Sequence, residues 1–138
     1  MNEMLVDTHV LIWMMEDNGK LSPSALQAIR VAVADDCLLV SAITPWEIGL
    51  LAAKGRIRLF MDAQSWVDRA LAMPGVRLVP LSAKIAIDSS FLPWESHPDP
   101  ADRILVATAR QLGATLITAD ERILLYGSQR RLKCLAAT

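Results

Sequence analysis

An α/β fold with a central, mostly parallel sheet is predicted by three features of this 138-residue chain. Short apolar runs alternate with segments of helical spacing, the pattern of strands joined by right-handed crossover helices. The runs are continuously apolar rather than alternating, as strands covered on both faces require. Several helices open on Ser, Thr or Asp followed by Pro, a start signal that fixes their places.

In order, Met4-Leu5-Val6 is a short strand ending at Asp7, and the apolar run Val10–Met15 is too long and varied for a turn and reads as helix. Ser22-Pro23 begins a helix through Ala25, Leu26 and Ile29. Cys37–Val40 is a buried strand, and Thr44-Pro45 opens a helix that runs to Lys54-Gly55. A polar helix over Ala63–Met73 closes at Pro74-Gly75, followed by a strand over Val76–Leu81 and a short helix over Ala83–Phe91. Asp99-Pro100 opens a helix through Ile104, Leu105, Ala107 and Ala109 that stops near Gly113. Ala114–Thr118 is a strand, and a short helix and a last strand, Lys133–Ala136, finish the chain. No repeat, low-complexity tract or Gly/Ser linker interrupts it, so residues 1–138 read as one domain.

Composition removes several function classes. Hydrophobic residues make up 53% of the chain, yet charge breaks every apolar stretch well short of the about 20 residues that span a bilayer. No basic segment precedes an apolar one at the start, so no signal peptide is read. A soluble chain this apolar is expected to cover part of its surface with another chain. Cys37 and Cys134 lie in apolar runs without ligand spacing and read as reduced core residues of a cytoplasmic protein. With a net charge of −1, a nucleic-acid role has to come from a local site rather than from a basic surface.

Asp7 and Asp120 follow strands, whereas Glu47 and Asp102 fall in the first turns of helices. In a parallel sheet these ends share one edge, so the four carboxylates are expected to converge. Taken singly, each has a structural role. Thr44-Pro45-Trp46-Glu47 reads as a capping box, Asp99 as the N-cap of the helix carrying Asp102, and Asp7 and Asp120 as caps of the helices after them. Ser22-Pro23 has the same start signal with Ala25 at the third position, so the acid is not needed to start a helix. Gathered together, four carboxylates repel, and helix dipoles offset only ~0.3–1 kcal/mol each. A hard divalent cation offsets more, and an all-oxygen set favours Mg²⁺ or Mn²⁺. His9 and His97 are too few, and wrongly spaced, for zinc. Carboxylate-bound Mg²⁺ keeps several waters and commonly serves phosphate chemistry.

Leu5-Val6-Asp7-Thr8-His9-Val10-Leu11-Ile12-Trp13 resembles the opening of PIN domains, in particular the toxins of VapBC-type toxin–antitoxin pairs. Ser41–Arg58, with Trp46-Glu47-Ile48 and Lys54-Gly55-Arg56-Ile57, resembles the second block of that family. His97-Pro98-Asp99-Pro100-Ala101-Asp102-Arg103 and Thr118-Ala119-Asp120 resemble the third and fourth. The resemblance implies a PIN-like α/β/α sandwich and Mg²⁺- or Mn²⁺-dependent endonucleolytic cleavage of RNA. It makes Asp7, Glu47, Asp102 and Asp120 the acidic quartet, with Asp7 and Asp102 as direct metal ligands and Glu47 and Asp120 holding water or a second ion. Thr8, Asp99, Arg103 and Thr118 are candidates to support the ligands or touch substrate. The resemblance also implies a cognate antitoxin and a homodimer. Val10–Met15 with Ile48, Leu50 and Leu51 are candidates for the antitoxin groove, or else core.

Lys54, Arg56, Arg58, Arg103, Arg122, Arg130 and Arg131 are candidate phosphate contacts, and Trp94 is a candidate base stacker or helix-end plug. Two alternatives stay open. A catalytically idle binding module would keep the fold and lose the site. A phosphoacceptor signalling domain would need an acceptor Asp on the middle strand, and Val76–Leu81 has none.

Overall fold

The computed structural model describes residues 2–94 and 99–138, without the side chains of Arg130 and Arg131. The elements run β1 (Met4–Val6), α1 (Thr8–Glu16), α2 (Pro23–Ala34), β2 (Leu38–Ser41), α3 (Ile43–Ala53), α4 (Ala63–Leu71), β3 (Val76–Val79) and α5 (Ala83–Ser90). They continue with α6 (Pro100–Leu112), β4 (Thr115–Thr118), α7 (Glu121–Tyr126), a π-helical turn at Gly127–Arg131 and β5 (Cys134–Ala136). The five strands form one sheet in the order β3-β2-β1-β4-β5, and every pairing is parallel.

Strand pleating explains the continuous apolar runs, because successive side chains point to opposite faces. Val6, Leu38, Val40 and Ile117 pack on one face with α1, α2, α4 and Ile48 of α3. Leu5, Leu39 and Leu116 pack on the other with Ile85 of α5, Leu105 and Val106 of α6, and Ile123 and Tyr126 of α7. The result is the expected α/β/α sandwich.

Helix starts follow the local chemistry at most places. Ser22 accepts from Ala25 N, Asp62 from Ser65 N and Ser82 from Ile85 N. The exception is α3, which begins before Thr44. Ile43 opens it, Ser41 Oγ accepts from Ile43 N at 3.1 Å, and Pro45 sits inside the first turn, where a missing N–H costs no helical bond. The expected Thr44–Glu47 capping box is therefore not formed, and Glu47 lies just beyond the first turn.

Strand β3 also departs from expectation. It stops at Val79, where Pro80 has no N–H for the ladder, and it lies at the sheet edge. The middle strand is β1, which ends at Asp7. Cys37 is buried, and burial pushes the Cys134 thiol up to about 11; both are free thiols. Among the described residues no helix is long and apolar enough to cross a membrane.

Candidate active site

β1 and β4 lie side by side, and the chain winds away from them in opposite senses, β1 toward β2 and β3, β4 toward β5. That reversal opens a crevice beyond their carboxyl ends, where open parallel sheets bind ligands. Asp7 follows β1 directly, and Asp120 stands just past β4. Asp7, Glu47, Asp102 and Asp120 all line one cleft there, of about 260 Å³, and Asp99 lines it with them. His9, Trp13 and Ala119 complete its wall.

Each carboxylate is held by the turn it stands on. Asp7 caps α1, with Oδ1 accepting from His9 N at 2.9 Å. Its Oδ2 accepts from Thr118 Oγ1 at 2.5 Å. Asp120 caps α7 through Oδ1, which accepts from Arg122 N at 2.8 Å and Ile123 N at 3.1 Å. Asp99 caps α6 in the same way, with Oδ1 accepting from Ala101 N at 2.9 Å. For Asp99 and Asp120 these caps use one oxygen of two, so capping and ligation do not compete for the same atom.

Glu47 caps nothing in α3. Its Oε1 accepts from Thr8 Oγ1 at 2.5 Å, across 39 residues of sequence. Thr8 Oγ1 also lies 3.2 Å from Thr44 Oγ1. Since the single Thr8 proton goes to Glu47, Thr44 is the donor in that pair. Thr8, Thr44 and Thr118 are all buried, so these hydroxyls form a rigid base beneath the carboxylates. Thr44 was legible only as a cap; its actual contact is tertiary and carries no local signal.

The electrostatics match the crowding. Burial pushes the Asp7 carboxyl above its usual range, against the pull of the Thr118 hydroxyl and the His9 N–H. Burial likewise raises Glu47, with further upward pressure from the Asp7 and Asp99 charges against the pull of Thr8. Among the described residues, one oxygen each from Glu47, Asp99 and Asp102 lie within 4.8 Å of one another. This all-oxygen set suits a hard divalent cation. Asp99, expected in a supporting place, thus stands within the tightest acidic group.

Other candidates are placed differently. The Arg103 guanidinium donates to the backbone carbonyls of Ser89, Leu92 and Trp94, fastening the segment after α5 to α6. Trp94 is 9% exposed and packs its ring 4.8 Å from that of Tyr126, out of reach for a base. Val10, Leu11, Ile12 and Ile48 are core residues, whereas Trp13, Met14, Met15, Leu50 and Leu51 remain partly exposed. Lys54, Arg56, Arg58 and Arg122 are exposed. His97 and the Arg130 and Arg131 side chains lie outside the described residues.

A profile of the PIN domain matches residues 4–127. The chain is 37% identical over 123 residues to Ribonuclease VapC22 of Mycobacterium tuberculosis (strain ATCC 25618 / H37Rv), covering 89% of this chain and 91% of that protein. Among solved structures, VapBC2 from Rickettsia felis bound to a promoter DNA fragment superposes with a TM-score of 0.70 at 15% identity, over 98% of each chain. A toxin–antitoxin complex from Klebsiella pneumoniae superposes with a TM-score of 0.57 at 24% identity, over 86% of this chain and 87% of that one. At such identities these structures speak to the fold alone. By sequence profile and by its ribonuclease relative, this chain belongs to the PIN domain family.

Proposed function

We propose that the chain is a single-domain, Mg²⁺- or Mn²⁺-dependent endoribonuclease acting in the cytoplasm as the toxin of a toxin–antitoxin pair. The observation that carries this reading is the shared cleft of Asp7, Glu47, Asp102 and Asp120 at the β1–β4 switch point. The 37% identity to a protein named a ribonuclease supports the choice of RNA. Separated carboxylates would have favoured an idle binding module.

Asp7 and Asp102 are assigned as metal ligands, with Glu47 and Asp120 completing the set and Asp99 joining Glu47 and Asp102. A bound divalent ion supplies charge against the phosphate and the leaving oxygen, and activates the attacking water. The chain's own part is orientation. Thr118 fixes the Asp7 carboxylate and Thr8 that of Glu47. The caps of Asp99 and Asp120 lock those side chains to rigid helix ends. The RNA phosphates would be drawn by the exposed Lys54, Arg56, Arg58 and Arg122.

A cognate antitoxin and a homodimer partner accord with the apolar surface. Trp46 is 56% exposed, Phe60 92% and Phe91 81%. The Klebsiella structure that shares the fold is a toxin–antitoxin complex. Expression of the chain alone is expected to arrest growth, and a neighbouring small protein to restore it.

The deciding experiment incubates purified protein with total cellular RNA in Mg²⁺, in Mn²⁺ and in EDTA, beside folded Asp7→Asn and Asp102→Asn variants. Discrete fragments that need metal and vanish in both variants are expected. A folded, metal-binding protein that leaves every RNA intact would end the nuclease reading.

A further inference from the structure

We infer that His9, backed by Trp13, is the surface on which the cleft holds an unpaired RNA base beside the scissile phosphate; the inference rests on the nuclease reading above. The carboxylates, with or without a cation, deal with a phosphate that all nucleotides share. Grip on a base needs a ring or a directed donor. Among the described residues of the cleft wall, only His9 and Trp13 carry rings.

Their placement is built in. The His9 N–H is given to Asp7 Oδ1, so the turn that holds the carboxylate also sets where the imidazole starts. Trp13 is four residues on, which puts both rings on one face of α1. The centroids are 6.2 Å apart and the planes are tilted by 53°. This makes a corner rather than a slot, so a base can lie flat on one ring with its edge toward the other. His9 is exposed, whereas Trp13 is half-buried and packed against the core, which gives the corner a fixed wall. The Lys20 ammonium lies 5.6 Å from the Trp13 ring centroid. It adds a cation beside the Trp13 wall of the corner. Trp94, the other aromatic candidate, is buried against Tyr126.

The test uses a single-stranded oligoribonucleotide with one mapped cut, and the same strand made abasic at each flanking position in turn. Wild type, His9→Ala and His9→Phe are compared, with Mn²⁺ affinity measured for all three to show that the carboxylates are undisturbed. Loss of stacking is expected to raise KM about 10- to 100-fold in His9→Ala. His9→Phe is expected to restore it, and the alanine penalty to disappear on the strand abasic at the contacted position.

An unchanged KM and cut site in His9→Ala, while Asp7→Asn is inactive, would overturn the base surface and leave the nuclease standing. A penalty that persists on every abasic strand, or that phenylalanine does not relieve, also overturns it. So does a His9→Ala variant that loses only binding to a protein partner. Wild-type protein that cuts no RNA removes both readings together.

Discussion

Thr118 donates its one hydroxyl proton to Asp7 Oδ2 and accepts the Asp120 N–H on the same oxygen, so one buried side chain ties the ends of β1 and β4 together. Thr8 plays the matching part for Glu47. Such supports commonly change metal affinity 10- to 100-fold when lost. Thr118→Val keeps the shape of the side chain and removes both bonds. It is expected to weaken Mn²⁺ binding about tenfold and to cost about 1–3 kcal/mol of stability. Calorimetric titration reads the first and chemical denaturation the second. Undiminished metal affinity in a folded Thr118→Val protein would reduce the threonine to a strand hydroxyl, the ordinary role for its residue type. Neither threonine's partner is local. Asp7 lies 111 positions from Thr118, and Glu47 lies 39 from Thr8, so the sequence marked both threonines as candidates to support carboxylates without saying which carboxylate each holds.

At the scale of elements, the legible parts were those written in adjacent residues. Strand cores, the Pro-marked starts of α2 and α6, and the Gly113 stop of α6 all depend on neighbours in the chain. Convergence of Asp7 with Asp120 followed from parallel topology alone. Strand order was less legible: Arg77 and the following Pro80 are compatible with an edge strand, but only tertiary pairing places β3 beside β2 at the edge. The start of α3 misled for a related reason: Thr-Pro-Trp-Glu spells a capping box whether Thr44 caps or reaches across to Thr8. At α7 the cap and site roles of Asp120 can be separated. Asn is as good an N-cap as Asp, so Asp120→Asn is expected to leave stability within about 0.5 kcal/mol while reducing RNA cleavage; Asp120→Ala loses about 1 kcal/mol as well. Equal cleavage by Asp120→Asn and wild type would make that residue a cap alone. Gly75 tests the joint between α4 and β3. It holds φ +84°, and an added Cβ would fall 2.3 Å from Val33 O. Gly75→Ala is expected to cost about 1–3 kcal/mol, seen as a lowered denaturation midpoint. A neutral result would mean that the turn shifts freely.

For the molecule as a whole, the site is a liability to the metal-free fold. Burial raises the Asp7 and Glu47 carboxyls above their ordinary values of 3.8 and 4.5. The folded state therefore holds these protons more tightly than the unfolded chain does. Below the ordinary values both states are protonated and no cost arises. As pH rises from there through the raised native values, the unfolded chain ionises first, and stability is lost across that window. Asp62 works in the opposite direction, since its bonds to Ser65 lower its carboxyl and favour the fold above its ordinary value. A raw melting curve against pH mixes the two trends, so the useful quantity is the difference between wild type and Asp7→Asn. In EDTA at neutral pH, Asp7→Asn is expected to melt higher than wild type, because removing the buried charge outweighs the Thr118 hydrogen bond that the amide nitrogen cannot accept. That advantage should shrink as pH falls through the raised native value and be gone below the ordinary value of 3.8, where the wild-type carboxyl is protonated in both states. Adding Mg²⁺ or Mn²⁺ should reverse the order at neutral pH, since binding to the native state alone stabilises it and Asp7→Asn binds poorly. Identical melting of the two proteins in EDTA, with the same rise on adding metal, would mean that Asp7 neither strains the fold nor holds the ion. The acidic cleft would then owe its shape to helix capping and nothing more.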